Sequence, residues 1–100
     1  MTLMSSDVSV GNIIETTSTT ETLSIDSLYI YEGTSNAVFT LPTGSDAIKN
    51  KPIRVLNDTT NDSIITMSTT DSFTANFGGA VYQGSNYTFI WTGTKWAVLN

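Results

Sequence analysis

Apolar residues in this chain alternate with polar ones or stand in short runs. They do not recur at the three-to-four-residue spacing of an amphipathic helix. Val8-Ser9-Val10 and Ile13-Ile14 come first, interrupted by Gly11-Asn12, and Leu23-Ser24-Ile25 alternates. Longer stretches follow at 28–31, 37–41, 53–56 and 64–67, a shorter one at 73–75, and the clearest two at 87–91 and 95–99. Each is rich in β-branched or aromatic residues and bounded by Gly, Asn, Asp or Ser, which is the pattern of short strands.

The intervening residues are turn formers. Glu32-Gly33-Thr34-Ser35-Asn36 separates two strands, Pro42-Thr43-Gly44-Ser45-Asp46 closes one, and residues 57–62 form a polar loop. Gly78-Gly79 and Gly84-Ser85-Asn86 punctuate the region before Tyr87. Thr92-Gly93-Thr94-Lys95 reads as a tight hairpin turn with Gly at a positive φ, placing Trp91 beside Trp96 on paired strands. Ser45 or Asp46 before Ala47-Ile48-Lys49 predicts at most one helical turn, stopped by Pro52. The predicted class is all-β, with short antiparallel strands forming a small β-sandwich or β-prism-like knob over residues 23–100. Residues 1–22 read as an extended polar N-terminal arm. For the run Glu15-Thr16-Thr17-Ser18-Thr19-Thr20-Glu21-Thr22, composition alone leaves two readings open: a disordered tail, or an arm ordered against a partner through Val8, Val10, Ile13 and Ile14.

Several strands are apolar on both faces, notably Leu28-Tyr29-Ile30-Tyr31, Phe89-Ile90-Trp91 and Trp96-Ala97-Val98-Leu99. A small monomer has little with which to cover both sides, and large exposed apolar patches mark interfaces. The pattern therefore predicts a core shared between copies of the chain, built on Tyr29, Phe39, Phe89, Trp91, Trp96 and Val98.

Composition narrows the chemistry. The 100 residues include 18 Thr, 12 Ser and 8 Asn, only 13% are charged, and Cys and His are absent. Hydroxyls and amides must wet the surface. Without Cys or His there is no thiolate or imidazole metal site, no Ser-His-Asp triad and no Cys nucleophile. The net charge of -5, with only Lys49, Lys51, Arg54 and Lys95 as cations, argues against nucleic acid and anionic membranes as partners. The N-terminus has no signal-peptide pattern and no run reaches the ~18 apolar residues of a membrane span, so the expectation is a soluble protein made in a cytoplasm.

Candidate constellations are few. Asn57, Asp58, Asn61 and Asp62 offer oxygen ligands of the kind Ca²⁺ takes, but the spacing is not that of an EF-hand loop and turn formation explains the same residues. Every carboxylate lies in or beside a turn or polar segment, which predicts solvated acids and no catalytic pair; no cofactor is expected. The sequons at Asn57, Asn61 and Asn86 occur at the chance rate for eight Asn and thirty Ser plus Thr. Tyr82, between Gly79 and Gly84, is the best candidate for an exposed contact, with Asn86 beside it, on a surface that would stack on and hydrogen-bond to sugars.

Residues 28–100 carry a recognisable order: Thr40-Leu41-Pro42, then Ile53-Arg54-Val55-Leu56-Asn57, then the terminal Tyr87-Thr88-Phe89-Ile90-Trp91-Thr92-Gly93-Thr94-Lys95-Trp96 hairpin. This order resembles a small β-module of bacteriophage fibres, tailspikes and capsid-decorating proteins. The resemblance implies a trimeric, stable, non-enzymatic part of a virion, either an accessory capsid decoration or a short head fibre that assists adhesion to the host. In that reading the N-terminal arm docks on the major capsid protein or another virion protein, through Val8, Val10, Ile13 and Ile14. A carbohydrate-binding receptor module at a tail-fibre tip, contacting a host-surface glycan, is the alternative.

Overall fold

The β-branched and aromatic stretches form strands, and each polar interval reverses the chain. The structure, a computed structural model, describes residues 10–100. Its strands are β1 (Asn12–Thr16), β2 (Thr20–Thr22), β3 (Ser27–Tyr31), β4 (Ala37–Thr40), β5 (Pro52–Asn57), β6 (Ile65–Ser68), β7 (Ala80–Val81), β8 (Asn86–Trp91) and β9 (Trp96–Leu99). The one helical element among the described residues is a 3₁₀ turn, Asp46–Ile48, the short connector expected there. Ser45 precedes it but its side chain makes no capping bond.

Two sheets share these strands, in the orders β1-β3-β5-β8-β9 and β2-β4-β6-β7. The chain crosses from one sheet to the other at each of its first five reversals, so β1 and β2, β3 and β4, and β5 and β6 are successive turns of a two-sheet coil. Successive turns stack in parallel: β1 on β3, β3 on β5, β2 on β4 and β4 on β6. Only after β6 does the chain fold back, with β7 antiparallel to β6, β8 to β5, and β9 to β8. The expectation of antiparallel strands is corrected accordingly, and the class is all-β with two mixed sheets. A short turn reverses direction, but here it carries the chain to the opposite sheet instead of to the neighbouring strand.

Residues 12–22, placed in the arm by composition, form β1 and β2, the outermost strands of the two sheets at the start of the coil. Thr16 and Ser18 tie their connection: Thr16 Oγ1 donates to Glu21 Oε2 (2.7 Å) and Ser18 N–H to Thr16 Oγ1 (3.0 Å).

Alternation sends Tyr29, Tyr31, Ile53, Val55, Phe89, Trp91 and Trp96 inward from one sheet, against Ala37, Phe39, Ile65, Met67 and Val81 from the other. Phe39 lies edge-on to both Tyr29 (6.2 Å between centroids, 65°) and Tyr31 (5.7 Å, 81°). Both tyrosines also brace reversals. The Tyr29 hydroxyl accepts from Ser24 N–H (2.9 Å) and the Tyr31 hydroxyl donates to the Ser35 carbonyl. Gly33 lies on the Tyr31 ring, where a Cβ would overlap it, and Gly44 lies against the Trp91 ring in the same way.

The five-stranded sheet is wider than its partner, and residues 69–79 make up the difference. Phe73 and Phe77 stack against each other (5.0 Å) and against Phe89 (6.0 and 5.5 Å). Trp91 and Trp96 are directly paired across the hairpin with ring centroids 5.6 Å apart, and Gly93 has φ 109° as its turn requires.

Candidate contact surfaces

Burial separates the expected site residues into two groups. Tyr29, Phe39, Phe89, Trp91 and Trp96 are covered by their own chain, and Val98 is half-buried against the same core. The first five therefore need no second copy to cover them. The sequence pattern could not reveal that Phe73 and Phe77, carried on an irregular segment, supply the missing cover. Ile13 is 61% exposed, Ile14 packs partly on the core, and Val10 is half-buried. Val8 lies outside the described residues.

The loops after β3, β5 and β7 gather at one end of the molecule, and their core is polar. Asn57 is fully buried at its centre. Its Nδ2 donates to the carbonyls of Ser63 and Val81 (both 2.8 Å), and its Oδ1 accepts from Thr59 N–H (3.1 Å) and Thr59 Oγ1 (2.8 Å). Its backbone continues the network: Asn57 N–H donates to Ser85 C=O (3.0 Å), and Asn57 C=O accepts from Gly84 N–H (2.9 Å). Two amide donors and two acceptor lone pairs are all an asparagine side chain has, so this one is fully used. Further out, Asn61 Nδ2 donates to Thr34 C=O (2.6 Å), its Oδ1 accepts from Ser63 Oγ (2.7 Å), and Asp62 N–H donates to Gln83 Oε1 (2.6 Å). The amide oxygens that suggested a cation loop are taken up within residues 57–63, while the amide nitrogens of Asn57 and Asn61 reach across to Val81 and Thr34. Among the described residues no group of three or more His, Cys, Asp or Glu is arranged to hold a metal.

Tyr82 projects from this braced end, 58% exposed, at the start of a turn closed by Ser85 N–H on Tyr82 C=O (2.9 Å). Asn86 is half-buried at the base of the same turn, opposite Leu56. The two belong to one corner of the molecule, with Tyr82 the one presented to solvent. The outward face of the smaller sheet is a second surface. Register places Thr20, Val38, Thr66 and Ala80 in one row and Thr22, Thr40 and Ser68 in the next, an array of hydroxyls and methyls without charge.

Acidic groups meet where β1 and β3 end, which spacing in the sequence does not disclose. Partial loss of solvation, the Glu15 carboxylate with its shared hydrogen bond, and then Asp58 hold the Glu32 carboxyl above its ordinary value. A raised acid favours the folded state below its unfolded pKa, and that contribution is lost as pH rises through the folded value. Glu32 should therefore contribute a fall in stability to thermal melts as pH rises from mildly acidic toward neutral. Glu32→Gln should flatten that slope and raise the melting temperature slightly at pH 7; an unchanged slope would remove the acid pair as its cause.

Among the described residues no helix is long and apolar enough to cross a membrane. In comparisons with known proteins, the chain matches no family model, no curated protein and no solved structure.

Proposed function

We propose that this chain is a non-enzymatic structural protein of a phage virion, an accessory capsid decoration or short head fibre that associates with copies of itself and with a neighbouring virion protein. The observation that carries this reading is the form of the coil. It is a hydroxyl-rich stack of strands with few charges, folded back at one end and, among the described residues, open at the other, a shape suited to being built into a larger assembly. The resemblance of residues 28–100 to phage fibre and decoration modules supplies the setting. Its test is fractionation of assembled particles on a density gradient. The chain should band with the capsid at a constant ratio and remain there through a high-salt wash. Recovery only in the soluble fraction would overturn the reading.

Tyr82 favours a second reading, carbohydrate contact at a fibre tip, because an exposed aromatic ring on a hydrogen-bonded polar turn is suited to stacking on a sugar. A glycan array probed with the wild type and Tyr82→Ala decides between them: specific binding abolished by the substitution supports the receptor module. Absence of binding supports decoration alone.

A further inference from the structure

The two ends of the coil treat their sheet edges differently. At the end where the chain folds back, residues 72–74 cover the outer side of β9. Trp96 N–H donates to Ser72 C=O (2.8 Å), Thr74 N–H to Trp96 C=O (2.9 Å) and Val98 N–H to Thr74 Oγ1 (3.2 Å). The last strand of the other sheet, β7, is two residues long and its Val81 carbonyl accepts from Asn57 (2.8 Å). Covering an edge and keeping it short are two of the ways proteins prevent edge-to-edge pairing.

At the opposite end β2 is also short, at three residues, but β1 is longer and, among the described residues, uncovered. β1 and β2 are the outermost strands there, and among the described residues no strand lies beyond either. Asn12 N–H donates to Asp26 C=O (3.1 Å) and Glu32 N–H to Thr16 C=O (2.9 Å), so residues 12, 14 and 16 address β3. Ile13 and Glu15 consequently turn their N–H and C=O groups outward. On β2 the bonds at Thr19 C=O and Leu23 N–H set the same alternation, with Thr20 and Thr22 outward; the Thr20 carbonyl also accepts from Ser18 Oγ (2.8 Å). β1 runs for five residues with no Lys and no Pro to discourage a partner, and it presents Ile13 to solvent.

We propose that this open end pairs with the same end of a second copy, β1 running antiparallel to β1 of that copy about a two-fold axis. A strand edge is complementary to itself in this orientation, because each outward residue offers one donor and one acceptor. Both sheets end on the same side, so a rotated copy meets β1 and β2 together, whereas a lone extended peptide covers only one of them. The register that overlaps all five residues is centred on Ile14. It sets Ile13 opposite Glu15 of the second copy and Asn12 opposite Thr16, with no like charges directly across. The proposal rests on the self-association in the reading above and makes its order two, where the resemblance implied three.

Light scattering on the purified full-length chain at tens of micromolar tests it. The expected mass is twice that of the chain. Ile13→Pro removes an outward N–H without touching the β1–β3 ladder, and it should yield a folded monomer, with strand content checked by circular dichroism. Should that variant fail to fold, register offers another route. Ile13→Lys alone places Lys opposite Glu15 of the second copy and keeps the dimer. The double variant Ile13→Lys, Glu15→Lys sets Lys against Lys and loses it. A monomeric wild type, a trimer, or a dimer that survives both Ile13→Pro and the double lysine variant would overturn the proposal. Particle fractionation is scored separately. A dimer absent from particles refutes the virion role alone, and a monomer bound to particles refutes the edge pairing alone.

Discussion

Asn57→Asp should be the most damaging conservative substitution in this protein, lowering stability by on the order of 4 kcal/mol at neutral pH. The side chains have the same shape, so packing is unchanged. What changes is that a carboxylate replaces two N–H donors aimed at the carbonyls of Ser63 and Val81. Three acceptors then face one another in a site with no exposure to water. Each unsatisfied buried group costs about 1–3 kcal/mol, and a charge more. For a chain of this size 4 kcal/mol corresponds to roughly 15 °C or more in melting temperature. Protonation gives the introduced carboxyl one donor back. The variant should therefore recover partly on acidification, the sign expected for an acid whose folded pKa is raised. Urea titrations of wild type and Asn57→Asp at neutral and acidic pH check both points. A loss below about 1 kcal/mol would mean the loops hold together without this side chain.

Phe39→Ala should cost about 3–5 kcal/mol, the range for truncating a fully buried aromatic. Phe39 is the ring against which the two sheets meet. It is fully buried, and both of its edge-on partners, Tyr29 and Tyr31, also hold chain reversals through their hydroxyls. Removing it leaves a cavity whose walls are tethered by those hydroxyl bonds, so little collapse can relieve the loss. Phe39→Leu keeps most of the volume and should cost markedly less. Equilibrium urea unfolding followed by tryptophan fluorescence measures both. Equal costs for Ala and Leu would place the loss in ring geometry instead of cavity volume.

The sequence was most informative where structure is local. The terminal hairpin, its Gly93 turn and the Trp91–Trp96 pair could be read directly, because four adjacent residues set that turn and the strands it joins are immediate neighbours. Tyr82 was likewise identifiable as exposed from the turn formers around it. Asn57 was not recognisable as a buried hub. Its sequence neighbours are turn formers, and its partners Ser63, Val81 and Ser85 come from separate segments that meet only in the fold. The acid pair Glu15 and Glu32 was hidden for the same reason: 17 positions separate them in the chain, yet the parallel register of β1 and β3 brings them together.

By itself, then, the amino-acid sequence determined an all-β chain of short strands, where most of them lie, and a surface wetted by hydroxyls and amides. These follow from side-chain branching, alternation and turn chemistry, which act over a few residues. Tertiary structure alone decided which sheet each strand joins, that the early strands stack in parallel, and that the aromatic residues form a core within one chain. A turn dictates that the chain reverses, but the choice of neighbour depends on pairings such as Ser27 with Ile53 and Ala37 with Ile65, formed across long loops by packing between the sheets. That same choice left one end of the coil covered and the other, among the described residues, open.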